Sequence, residues 1–154
     1  MRVLIIILLE IETMPHPILK DSLVFTTTIE IKRERIDDLL TSALEGGCNY
    51  WLALHADDIH KEGDKLNGEL CIERQLMLGG TLHCYDRETG DKLGEFTIVK
   101  LVGALQAMAK GEDLDGKKND HLKWHFNNFA TENDDAETAD VAFQIATMGS
   151  IVFS

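Results

Sequence analysis

The sequence predicts a single domain of the α+β class, in which a mostly antiparallel sheet packs with three to four helices. Short segments in which apolar and polar residues alternate are typical of strands with one buried face. Longer segments repeat apolar residues every three or four positions, as amphipathic helices do. At 154 residues and 44% hydrophobic side chains, the chain has the length of one domain and enough apolar material for one core.

The first residues form an apolar run that differs from the rest of the chain. Residues 3–9 are all Val, Leu or Ile, and two glutamates follow within three positions. The run is much shorter than the roughly 20 residues that span a bilayer, and no small-residue cleavage site follows it. We predict an N-terminal extension or edge strand over residues 1–17 and the α+β domain over residues 18–154. Alternatively, translation starts at Met14 and the preceding residues are an upstream extension.

A strand and a helix follow, and the periodicity changes sharply between them. From Leu23 to Lys32 the two faces alternate and β-branched residues are frequent, which predicts a strand. From Arg33 to Leu44 the apolar residues fall on one helical stripe. We expect Gly46 or Gly47 to end this helix as a left-handed C-terminal cap.

The middle of the chain predicts a β-hairpin followed by a second helix. The segment Leu70–Leu78 fits either a helix or a strand. A glycine-containing turn separates residues 81–86 from residues 93–97, which is typical of a hairpin. Residues 98–109 have the apolar stripe of a helix, and Thr97 can cap its beginning.

The last third predicts two more helices and a closing strand. Residues 121–129 form the first of these helices, which is short. Asp134, with Glu137 three positions later, resembles a capping box and predicts a helix that ends at Gly149. The apolar segment Ile151–Phe153 is predicted to close the chain as a strand.

The chain is strongly acidic, with a formal net charge of −12. Phosphate contacts need Lys and Arg, so this charge argues against a general binder of nucleic acid or of anionic membranes. It is compatible with a basic protein partner, with imitation of nucleic-acid charge, or with a role in solubility alone. Cys48, Cys71 and Cys84 match no zinc or redox spacing, which indicates free thiols in a reducing cytoplasm.

Glu45, Asn49, Tyr50 and Trp51 form a first candidate binding surface, at the predicted end of the first helix. Tyr and Trp bury a large area while keeping one polar group, so they serve both in cores and at recognition sites. The corner is therefore either a core plug or a binding surface. An amide beside two stacking rings would suit a nucleobase.

A second candidate binding surface consists of Asn133, Asp134, Asp135 and Asp140. Helix capping explains Asp134 without a ligand. The spacing of these acidic residues does not fit a calcium loop, which needs a central glycine and a later Glu. If both candidate surfaces lie at the same end of the sheet, they form one pocket.

The sequence carries no catalytic signature. His121 and His125 lie one helical turn apart, but a third metal ligand and a general-base Glu are missing, so we expect a polar helix face. Asp57 and Asp58 fall in a predicted loop, where acid–base chemistry requires burial that shifts their pKa values. We therefore predict no catalytic residue, no metal site and no cofactor.

Two segments resemble motifs of a family of small proteins encoded by bacteriophages and prophages. Residues 43–51 read ALEGGCNYW and resemble the family pattern ALEGGxNYW. Residues 132–141 read ENDDAETADV and are similar to the C-terminal segment of that family. The resemblance runs from Val24 to Phe153. It implies a viral accessory context and assigns no activity.

The sequence thus predicts a phage-encoded accessory protein that acts by binding in the cytoplasm of a bacterial host. Its expected partner is a host protein, which it inhibits as a counter to host defence, or a small nucleotide, which it sequesters. Neither direct nucleic-acid binding nor membrane association is expected. Two alternatives stay open, namely a small hydrolase that depends on a divalent metal and a virion or assembly component.

Overall fold

Strands come two at a time along the described chain, with a helix after each of the first two pairs and three consecutive helices after the third. A computed structural model describes residues 3–10, 24–54, 59–60 and 71–154. The predicted α+β fold is confirmed, with five α-helices in these ranges where three to four were predicted. The elements are β1 (Val3–Glu10), β2 (Val24–Ile31), α1 (Arg33–Ser42), β3 (Leu52–Ala53), β4 (Ile59–His60), α2 (Ile72–Met77), β5 (Thr81–Asp86), β6 (Lys92–Phe96), α3 (Ile98–Lys110), α4 (Asp120–Ala130) and α5 (Ala136–Met148).

The strands form two antiparallel sheets. β1 and β2 pair along their full length, with Val3 opposite Ile31. β2 confirms the strand predicted from Leu23 to Lys32, and β1 is a strand within the region predicted to be an extension or an edge strand. In the second sheet β5 pairs with β6 in the predicted hairpin, and it also pairs with the short strands β3 and β4. The predicted boundary at residue 17 and the alternative start at Met14 lie outside the described residues.

α5 is the central helix of the core. All residues from Thr138 to Thr147 are buried. The helix contacts α1, α3, α4 and β6, so it is covered on every side instead of presenting one face to water. Most of its side chains are apolar, but Asp140 and Gln144 are polar and buried as well. Buried polar side chains of this kind need hydrogen-bond partners close by.

The first helix does not end as predicted. Neither Gly46 nor Gly47 adopts the left-handed conformation of a C-terminal cap. Instead, α1 continues into the π-helical turn Ala43–Gly47, and the Cys48 N–H donates to the carbonyl five residues earlier at 2.8 Å. Gly47 is needed for space, because a Cβ there would lie 2.5 Å from the backbone oxygen of Ala136. The glycine thus lets the turn approach α5 closely.

Several other helix ends follow their predicted signals. α3 begins at Thr97, whose hydroxyl accepts a hydrogen bond from a backbone N–H in the first turn. α5 ends at Gly149, which has the left-handed conformation with φ of 88°. The segment Leu70–Leu78, which the sequence left open, is helical from Ile72 to Met77.

α5 does not begin with the predicted capping box of Asp134 and Glu137. Because the helix starts at Ala136, the residue in the extended capping position is Asp135. Its carboxylate accepts a hydrogen bond of 2.9 Å from the Thr138 N–H. Asp134 instead forms an ion pair with Arg35 of α1.

The last residues do not form the predicted strand. Ile151–Phe153, which the structure describes in full, adopts no regular secondary structure. The side-chain amide of Gln144 replaces a partner strand: its oxygen accepts from the N–H groups of Val152 and Phe153 at 2.9 and 2.8 Å. Its nitrogen donates to the Phe153 carbonyl at 3.0 Å. The prediction was wrong because a short apolar, β-branched run fits both arrangements.

Candidate functional site

A pocket of about 610 Å³ opens beside the first turns of α5. Its walls come from the π-helical turn, from α4, from the first turns of α5 and from the last residues of the sequence. The volume lies in the range of small-ligand sites. The lining residues are Gly46, Gly47, Tyr50, His121, His125, Ala136, Glu137, Asp140, Val141, Ile151, Phe153 and Ser154.

Asp140 is the central polar residue of this site. Its side chain accepts three hydrogen bonds, from Tyr50 Oη at 2.8 Å, from Trp51 Nε1 at 2.7 Å and from Gln144 Nε2 at 2.9 Å. Asp140 is only 6% exposed. Within the described ranges, no Lys or Arg forms an ion pair with it. Among the described residues, this buried carboxylate is thus held by neutral donors, and none of the ion pairs between them gives it a counterion.

The carboxylate of Asp140 influences the two ionisable groups beside it. Burial, followed by the hydrogen bond to Asp140, raises the pKa of the Tyr50 phenol above its usual value. Burial and the negative charge of Asp140 likewise raise the pKa of the Cys48 thiol. Tyr50 therefore stays a hydrogen-bond donor at neutral pH, and Cys48 stays a thiol rather than a nucleophilic thiolate.

Trp51 belongs to the core. It is 2% exposed, and its ring stacks on Phe153 with 5.3 Å between centroids and 6° between planes. The two alternatives, core plug and binding surface, thus apply to different residues of this corner. Trp51 is a core plug that also donates to Asp140, whereas Tyr50 is 49% exposed and lines the pocket.

The two histidines of α4 form a wall of the pocket. Their rings are perpendicular, with 4.7 Å between centroids. His121 is exposed, but His125 is buried, with its Nδ1 3.0 Å from the Thr138 hydroxyl, so the expected polar helix face is only half correct. Burial, followed by the neighbouring His121, lowers the pKa of His125. Among the described residues, no three His, Cys, Asp or Glu side chains are placed to hold a metal ion.

Other members of the two predicted surfaces lie away from the pocket lining. Glu45 and Asn49 are exposed on the π-helical turn and just after it, and the Asn49 amide donates to the Glu45 carbonyl at 2.9 Å. Asn133 is exposed and donates to a neighbouring hydroxyl at 3.1 Å. Asp134 and Asp135 are engaged in the ion pair and the helix cap. The structure thus brings together Tyr50, Trp51 and Asp140 from the two predicted surfaces.

Two residues of the site, Gln144 and Glu137, were not predicted from the sequence as binding residues. Gln144 donates hydrogen bonds to Asp140 and to the carbonyl of Phe153. Its position four residues after Asp140, on the same face of the helix, could have indicated this contact from the sequence. Glu137 was interpreted as a capping residue and was not included in either candidate surface, yet it lines the pocket. The loop carboxylates Asp57 and Asp58 lie outside the described residues.

Four exposed apolar side chains, which we call the apolar rim, lie in the pocket wall or directly beside residues that line it. Tyr50 and Ile151 line it, and Val152 follows directly in the chain. Trp124 is 48% exposed, and its ring lies parallel to that of His121 with 5.3 Å between centroids. These four account for most of the large apolar side chains that are exposed in the described part of the chain.

The surface around the pocket is acidic. From residue 124 to residue 154 the sequence contains no Lys and no Arg. The same stretch contains Glu132, Asp134, Asp135, Glu137 and Asp140. In the ion pairs between described residues, Arg35 neutralises Asp134 and none of the others is paired with Lys or Arg. A ligand that approaches this end of the molecule therefore meets a negative field.

Comparisons of the chain with known protein families, with curated proteins and with solved structures gave no match. In the part of the chain that the structure describes, no helix has both the length and the apolar character needed to cross a membrane. The pocket, its buried carboxylate and its apolar rim are therefore the features from which a function can be inferred.

Proposed function

We propose that the protein is a phage or prophage accessory protein that acts in the bacterial cytoplasm by binding a basic host protein and inhibiting it. The observation that carries this proposal is the coincidence of exposed apolar side chains with an acidic pocket at one end of the fold. Aromatic residues at the centre of such a patch are the usual energetic anchors of protein interfaces. Clustered apolar surface on a small protein marks an interaction site more often than scattered residues do.

The charge distribution supports a basic protein over a nucleotide. None of the described residues that line the pocket is Lys or Arg, while Glu137 and Asp140 are carboxylates. A phosphate group would meet repulsion from these carboxylates and would have His121 and His125, but no described Lys or Arg, as possible partners. A basic protein is attracted to the same surface, which speeds its association at low ionic strength.

A capture experiment with matched variants tests the proposal. The protein, tagged at its amino terminus, is incubated with lysate of a bacterial host, crosslinked and analysed by mass spectrometry. We expect the unaltered protein to enrich a basic protein that Tyr50→Ala with Trp124→Ala fails to enrich. Val99→Ala is the control, because Val99 is 82% exposed on α3 and does not line the pocket.

The same capture also gives the outcome that would contradict the proposal. If the double variant and the control enrich the same proteins as the unaltered chain, the apolar rim is not the docking surface. Raising the salt concentration should weaken a specific capture, because long-range attraction between opposite charges is screened.

A further inference from the structure

We propose that the pocket receives the guanidinium group of an arginine side chain of the partner protein, with Asp140 and Glu137 as its anionic wall and Tyr50 as its aromatic side. This inference rests on the proposed function, and it extends that function by naming the chemical group that enters the pocket.

The first argument is the charge of Asp140. A buried carboxylate is costly unless a cation compensates it. Here the hydrogen bonds come from a phenol, an indole and an amide, all of which are neutral donors. Because Asp140 lines the pocket, a cation in the pocket would supply a counterion that the described residues do not provide.

The second argument is the capacity of the site to accept further hydrogen bonds. Asp140 already accepts hydrogen bonds from Tyr50, Trp51 and Gln144, and the Cys48 thiol lies beside it as a further donor. The acceptor positions open to a ligand are therefore mainly those of Glu137. Glu137 precedes Asp140 by three residues on α5, so both side chains lie on the same helix face, and both line the pocket. Two neighbouring carboxylates match the several N–H groups of a planar guanidinium.

The third argument is the nature of the other walls, which favours arginine over lysine. Val141, Ile151 and Phe153 are apolar, and Tyr50 presents a half-exposed ring. A guanidinium is weakly hydrated, stacks on aromatic rings and enters such surroundings more readily than a compact ammonium. At about 610 Å³ the pocket has space for a long side chain together with part of the adjoining main chain.

The test uses small probes on the intact chain. Uniformly ¹⁵N-labelled protein is titrated with N-acetyl-arginine amide, and amide chemical shifts are recorded. The matched probe is N-acetyl-citrulline amide, which has nearly the same shape without the charge. We expect shifts that saturate at the pocket residues with the arginine compound, and binding at least about tenfold weaker with the citrulline compound, since hydrogen bonds to charged groups are the stronger ones.

A pair of variants assigns the binding to the pocket. Glu137→Gln should weaken binding of the arginine compound by about tenfold, which corresponds to one charge-assisted hydrogen bond that is partly exposed to water. Glu34→Gln removes the same charge at an exposed position of α1 that does not line the pocket. This variant should bind the arginine compound as tightly as the unaltered protein does. Equal effects of both variants, or equal binding of both compounds, would overturn the inference.

The outcomes separate this inference from the proposed function. If the arginine compound fails to bind while host-protein capture still depends on Tyr50 and Trp124, the docking surface stands and the arginine anchor is wrong. If the arginine compound binds as expected and no host protein is captured through the rim, the proposed function is wrong. The pocket is then a site for a free guanidinium compound.

Discussion

Replacing Gly47 by alanine should destabilise the protein, whereas the same change at Gly46 should not. A Cβ at Gly47 would lie 2.5 Å from the backbone oxygen of Ala136 and 3.3 Å from the backbone nitrogen and the Cβ of Asp140. A carbon and a carbonyl oxygen normally stay about 3.3 Å apart or more. The π-helical turn and α5 must therefore separate by roughly 0.8 Å at this point.

The magnitude follows from the kind of atom that blocks the new methyl group. Overpacking a core typically costs about 1–3 kcal/mol, and a backbone atom of a central helix cannot turn aside as a flexible side chain can. At Gly46 the added Cβ has no neighbour within 4 Å, and φ is not positive. Alanine should therefore stabilise the fold there by the usual advantage of alanine over glycine in a helix, about 0.5–1 kcal/mol. We expect the two variants to differ by about 1.5–4 kcal/mol in the free energy of unfolding.

Urea denaturation followed by tryptophan fluorescence measures this difference. The slope of the free energy against urea should be alike in both variants, so that the midpoints report stability alone. If alanine is tolerated equally well at both positions, the close approach of the turn to α5 is not what requires Gly47. A decrease in the free energy of unfolding at Gly46 as large as that at Gly47 would contradict the reasoning in the same way.

Three further outcomes are expected. Trp51→Phe keeps an aromatic ring in the core but removes one hydrogen-bond donor to Asp140. Urea denaturation should therefore show that the free energy of unfolding falls by about 1–3 kcal/mol. A decrease under about 0.5 kcal/mol would show that water replaces the indole N–H. His125 has a folded-state pKa below its usual 6.5, so the unfolded chain binds the proton more readily. Stability should therefore fall as pH drops from above 6.5 through the folded pKa, and urea midpoints of His125→Gln should depend less on pH in that window. Iodoacetamide should modify Cys71 alone in the native protein, because Cys48 and Cys84 are buried, whereas it should modify all three thiols in urea. Intact-protein mass spectrometry counts the modified thiols, and a second modification of the native protein would contradict the burial of Cys48 and Cys84.

Much of the fold could be predicted because its signals are local. Alternation in β2, the helical stripe of α1 and the cap at Thr97 each depend on residues that are near in sequence. The role of Gly47 could not be predicted in this way. A glycine after a helix fits a left-handed cap and a close approach equally well, and only the position of Ala136, far along the chain, separates the two.

The candidate site was predicted in part. Two separate motifs pointed to Tyr50, Trp51 and Asp140, and the structure joins them across about ninety positions of sequence through two hydrogen bonds. Gln144 looks like an ordinary exposed position of an amphipathic helix until the elements that bury α5 are in place. Glu137 is exposed in the folded protein as well, and only the neighbouring elements make it part of a pocket wall.

The carboxyl-terminal residues have a practical consequence for any assay of this protein. Ile151, Phe153 and Ser154 form part of the pocket wall, and the side-chain amide of Gln144 holds this segment in place. A protein immobilised through Ser154 would present its pocket to the sensor surface and away from the analyte. An environment-sensitive dye at the same residue would instead sit at the mouth, where its emission reports directly when the pocket fills.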